Sequence, residues 1–149
     1  METNFSFTPV IMQALVALVL ALVLGAAIGF ERQLHNQPSG MHTNALVCMG
    51  SAAYVLVALL GIQDSSPTRV AAQVVSGVGF ICAGVIWHEG ATPRGLSTAA
   101  TIWCTAAVGV LAGLNFSLMA IVAAALLLGA NIVLHWIDHR YFDSAAPKN

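Results

Sequence analysis

Glu31 and Arg32 stand side by side where a long apolar run ends, and Arg69 and Gln73 sit one turn apart where another begins. Glu89 and Arg94 flank a polar turn between two further runs. These side chains stand out because only 7% of the 149 residues are charged. A carboxylate held close to a membrane is costly enough to need a partner. For Glu31 and Arg32 two readings stay open: an interfacial pair reaching to water, or a partner for the polar turn near Arg94. Arg69 reads as a helix-end anchor with Asp64 close by in sequence. Gln73 lies one turn deeper and should bond to a neighbouring helix, where such bonds are worth about 0.6–2 kcal/mol.

Other groups have helical spacing. Ser97, Thr101 and Thr105 recur at intervals of four and are followed by Gly109 and Gly113. Residues i and i+4 share a helix face, so this stripe either packs against a neighbour or lines a crevice. Asn131, His135 and His139 form a similar row. Two histidines at i, i+4 can hold a metal, but no HExxH pattern occurs and no cysteine joins them, so no metal and no cofactor are expected. Cys48, Cys82 and Cys104 each fall inside an apolar run and read as buried thiols. There is no G-x-S-x-G, no phosphate-binding loop and no pair of carboxylates on one helix, and Ser97-Thr98 lacks an evident base. Enzyme activity is not expected.

The elements that position these groups follow from composition. The chain is 58% hydrophobic, whereas a soluble domain carries about 25% charged residues. So few polar groups cannot cover a soluble surface, and the chain reads as an all-α integral membrane protein with lipid as its surroundings. Without a basic patch, nucleic acid is not a partner. Runs at about 10–30, 45–62, 70–87, 96–114 and 116–137 reach the roughly 20 apolar residues that span a bilayer. Lipid leaves backbone groups unsatisfied, so each run should be a helix; no run alternates with the period-two pattern of a barrel strand. The connections are short, giving a single transmembrane domain with a tail at 138–149. METNFSFTP has no positive leader region, so the first run reads as a retained helix. Arg32, Arg94, Arg140 and Lys148 fall on one side and Arg69 on the other, which predicts a cytoplasmic C-terminus and an N-terminus outside. The small size and the short second and third spans predict a homo-oligomer.

Sliding the chain on itself by 55 residues brings Gly29 onto Gly84, Pro38 onto Pro93, Gly40 onto Gly95, Thr43 onto Thr98 and Ala45 onto Ala100. The shared P-x-G-x-x-T-x-A predicts two helix–loop–helix units of the same orientation plus a fifth helix. Stripes of small residues predict close helix packing: Ala17, Ala21, Gly25 and Gly29 on the first span, Gly109 and Gly113 on the fourth, with Gly77, Gly79 and Gly84 on the third.

The segments GAAIGFERQ, PSGMHTNALV, RVAAQVVSGVGFICAGVI and GLSTAATIWCTAAVGVLAG resemble the membrane domain of the MgtC/SapB family over about residues 15–135. Residues matching its pattern include Gly25, Gly29, Glu31, Arg32, Gly40, Thr43, Arg69, Gln73, Gly77, Gly79, Gly84, Gly95, Thr98, Trp103 and Cys104. The resemblance implies a bacterial inner-membrane protein linked to magnesium homeostasis and, in pathogens, to virulence. It implies regulation through membrane partners such as a subunit of the F-type ATP synthase or of a transport ATPase. The repeat and the hydroxyl row leave a small transporter or channel as the alternative. A functional polar cluster is expected among Glu31, Arg32, Arg69, Gln73, Arg94, Ser97, Thr98, Thr101 and Cys104. The sequence departs from the family at His42, where Arg is usual, at Cys82, where Gly is common, and at Ser97, where Asn or Thr is frequent. The cytoplasmic C-terminal domain of longer members is not expected from these segments, and roles that depend on it are not carried over.

Overall fold

The structure is a computed structural model that describes residues 7–60 and 66–141. Asp64, Lys148, the chain beyond 141 and the side chain of His139 lie outside the described residues. Five helices are present: α1 (Phe7–Leu34), α2 (Met41–Leu60), α3 (Pro67–Gly84), α4 (Leu96–Gly113) and α5 (Ser117–Tyr141). Four of them, α1, α2, α4 and α5, are long and apolar enough to cross a membrane. The fifth, α3, falls short of that combination, because Pro67, Arg69 and Gln73 dilute its 18 residues.

The expected element boundaries shift where polar groups find unforeseen partners. α1 continues to Leu34 rather than stopping near residue 30, because Glu31 and Arg32 stay helical and turn into the bundle. The chain then reverses within six residues, with Asn36 and Ser39 at positive φ (52° and 65°). At the other turn α3 stops at Gly84 instead of running to 87. Trp87–Glu89 (β1) and Thr92–Arg94 (β2) pair as an antiparallel ribbon, with Trp87 opposite Arg94 and Glu89 opposite Thr92. Gly90 takes φ 64° at the first position of its two-residue turn, as a tight hairpin requires. The sequence predicts only a loop here, because HEGATPRG is too short and too polar to show period-two alternation.

The helices pack around α2 and α4. α4 meets all four others; α3 lies against α2 and α4, and α5 against α1 and α4. One apolar cluster joins Ala21, Ile28, Cys48, Val108, Ala112 and Ala124 from α1, α2, α4 and α5. A second, smaller one joins Val74 and Val78 of α3 to Ile102 and Ala106 of α4. Small residues set the separations. A Cβ at Gly25 would lie 2.6 Å from the carbonyl oxygen of Asn44, and one at Gly29 would lie 2.6 Å from that of Gly40. Further along α2, a Cβ at Gly109 would collide with the carbonyl oxygen of Cys48, and one at Gly113 would lie 2.7 Å from that of Ala52. Both stripes therefore hold α2 backbone to backbone. Gly77, Gly79 and Gly84 do not act this way: nothing lies within 4 Å of where their Cβ would be.

Candidate functional site

The polar residues gather in one layer where α1 and α5 end and α2 and α4 begin. Arg32, at 5% exposure, reaches from the last turn of α1 to the first turn of α4. It donates to Ser97 Oγ at 3.3 Å, to Thr98 Oγ1 at 3.1 Å and to Gln37 Oε1 at 3.4 Å. Its Nε is buried without a partner. The neighbouring Glu31 points elsewhere, as consecutive residues on a helix do. Its Oε1 lies 3.0 Å from His35 Nδ1, and Asn131 of α5 donates to its Oε2 at 3.3 Å. The rings of His35 and His135 meet edge to face with centroids 4.6 Å apart.

Beneath this layer Asn44 is fully buried. Its amide N–H groups donate to the carbonyls of Ser39 and Gly40 at 2.9 and 3.1 Å, and its Oδ1 accepts from Thr105 Oγ1 at 3.1 Å. Thr105 also bonds the carbonyl of Thr101 at 2.8 Å, and Thr101 bonds that of Ser97 at 3.0 Å. A buried polar group costs stability unless it is paired, and here one asparagine ties the loop after α1 to the middle of α4.

The structure brings Arg32, Ser97 and Thr98 together across the two units, with Glu31 on the adjoining face. It does not bring Glu31 to Arg94. Arg94 pairs at 3.2 Å with Glu89 across the ribbon, and both side chains are exposed. Thr101 and Thr105 are closed in against α2 at 4% and 0% exposure, so they line no open crevice. Gln73 and Arg69 are exposed on α3, away from the layer. Gln73 instead borders a cleft of about 510 Å³ between α2 and α3, together with Gly50, Tyr54 and Gly77. Cys104 is a half-buried free thiol on α4. Among the described residues no three His, Cys, Asp or Glu side chains group as metal ligands. The residues that sequence reasoning left out are Asn44, Gln37 and His35. Asn44 carried a signal, an amide one residue ahead of an apolar run. Asn131 had been read with the histidine row, and its bond to Glu31 follows only from α5 packing on α1.

A family model described as the MgtC family matches residues 18–140. The chain belongs to the MgtC family. It is 52% identical over 114 residues to Protein MgtC of Brucella abortus, covering 76% of this chain and 48% of that protein. With Protein MgtC of Salmonella typhimurium it shares 50% over 117 residues, 78% of this chain and 50% of the relative. An uncharacterised protein of Synechocystis is 48% identical over 132 residues, 86% of this chain and 56% of that one. The chain thus spans about half the length of the curated relatives it matches. No solved structure matches it. As an MgtC-family membrane protein its shared part includes all of the polar layer.

Proposed function

We propose that this chain is a regulatory protein of the bacterial inner membrane, acting through contacts of its outer face with membrane partners. The C-terminus lies in the cytoplasm in this reading, on the side richer in Arg and Lys. The process served is magnesium homeostasis or adaptation to stress and host cells, as the family resemblance implies. One contrast supports the reading. The interior is closed by backbone contact at Gly25, Gly29, Gly109 and Gly113, whereas α3 keeps open space beside Gly77, Gly79 and Gly84. Phe80 on the same helix is 84% exposed. Small residues let a second membrane helix approach closely, so α3 is the surface on which a partner helix, from another protein or a second copy, would lie.

The test is isolation of complexes from native membranes in mild detergent, with partners identified by mass spectrometry. The expected result is co-purification of a subunit of the ATP synthase or of a transport ATPase. It should be lost in Gly77→Phe while the melting temperature holds. A chain that stays partner-free in native membranes overturns the proposal. The second reading, a small transporter, draws on the two-unit repeat; the closed Thr101–Thr105 face speaks against it. Liposomes holding the purified chain should show no ion or small-solute flux above empty vesicles.

A further inference from the structure

We infer that the outward face of α3 joins a second copy of this chain, with the two Gln73 amides hydrogen-bonded to each other across a two-fold axis along the membrane normal. This names the partner for the docking face proposed above and rests on that reading. Gln73 carries the argument. It is exposed on α3 and borders the α2–α3 cleft with Gly50 and Tyr54, near the middle of α2. Because α2 is long and apolar enough to cross the membrane, the amide lies at the depth of the lipid chains. Among the described residues it makes no hydrogen bond. An amide without a partner in hydrocarbon is costly, so polar side chains at that depth face protein.

The spacing on α3 says the same independently. Arg69, Gln73, Ser76, Phe80 and Ala83 are all exposed and follow one another in steps of four, three, four and three. That is the 3.5-residue repeat of a seam between two helices. Val74 and Val78, the buried residues of α3, lie on its other side and pack against Ile102 and Ala106 of α4. Gly77 and Gly84 flank the seam with nothing within 4 Å of their Cβ positions, so a second backbone can come close. Of the five helices, α3 is also the one that falls short as a span by itself, and a protein neighbour on its outward face removes that difficulty. Symmetry and amide chemistry select a second copy as that neighbour. A carboxamide is donor and acceptor at once, so two of them satisfy each other. The two-fold sets both α3 helices parallel and brings each seam residue level with its own counterpart. Gln73 then meets Gln73 at the kind of seam position where one polar residue fixes register. Arg69, one turn nearer the helix end, can carry its charge to the headgroups, and from Gln73 to Ala83 the seam holds no charge that a foreign helix would have to answer.

The purified full chain in mild detergent, free of any other protein, tests the inference. Light scattering should give a dimer. Gln73→Leu should raise its dissociation constant about 3–30-fold, the span that hydrogen bonds between membrane helices allow, with the helical circular dichroism signal kept. In liposomes, a short bifunctional thiol reagent should link Gln73→Cys into dimers faster than the native chain. It should also do so faster than Val75→Cys, which is 48% exposed on α3 but outside the seam. A purified chain that runs as a monomer, a Gln73→Leu dimer as tight as the native one, or equal linking of the two cysteine variants overturns the inference. Co-purification of a foreign subunit from native membranes is a separate measurement, so the dimer and the regulatory reading can each fail without the other.

Discussion

The two helix–loop–helix units share a sequence motif and differ in nearly everything that polar side chains do. α2 and α4 start at equivalent residues, Met41 and Leu96, under the 55-residue shift. Ahead of them the first unit closes through a six-residue coil and the second through a β-ribbon. Arg32, Glu31 and Asn44 of the first unit correspond to Trp87, Ile86 and Ala99 of the second. The first unit supplies the buried charges and the amide; the second answers with hydroxyls, Ser97, Thr98 and Thr105. Close packing divides in the same way. Gly29 sits on the backbone of Gly40 and Met41, while its counterpart Gly84 faces open space. The residues the two units share set where their second helices start, and the residues in which they differ supply the polar layer.

The largest effect should come from that glycine pair. Gly29→Val forces a branched side chain into backbone and should cost about 1–3 kcal/mol or more. Gly84→Val should change stability by less than about 1 kcal/mol. Melting both in detergent checks this; equal losses would erase the distinction between the units. Next, Asn44→Leu removes four bonds to the loop and α4, and should cost about 1–3 kcal/mol. Substituting the equivalent Ala99 with Val removes no bond and should cost less in the same assay. Third, a double-mutant cycle between Asn44 and Thr105 should give a coupling near 0.6 kcal/mol, the average for polar pairs between membrane helices. Additive effects would mean that the 3.1 Å contact contributes nothing. Smallest, Glu89→Ala and Arg94→Ala should each shift stability by about 0–1 kcal/mol, as exposed ion pairs do. Neither should couple to Glu31.

Much of the scaffold was legible because it rests on long-range composition. Runs of apolar residues located five helices, and glycine at intervals of four marked the faces of α1 and α4 that clasp α2. The polar layer was half legible. Arg32, Ser97 and Thr98 stood out as polar residues at helix ends, yet nothing local says that a side chain of α1 crosses to α4. Glu31 invited Arg94 by charge, but Glu89, diagonally across the ribbon, captures it first. The ribbon escaped detection because three-residue strands carry too little pattern. Gly77 and Gly79 look the same in sequence as Gly25 and Gly29, since a small residue shows that approach is possible and not that a neighbour is present.

The double clasp on α2 also bears on motion. With α1 and α4 both seated on α2, carbonyl against glycine, a slide of one residue along either contact would drive Cβ atoms into peptide groups. These three helices must move as one slab. α3 has no such lock: it rests on Val74 and Val78, beside a cleft of about 510 Å³, and is joined to α4 by a two-stranded ribbon. A rocking α3 against a rigid slab is the displacement this architecture leaves cheapest.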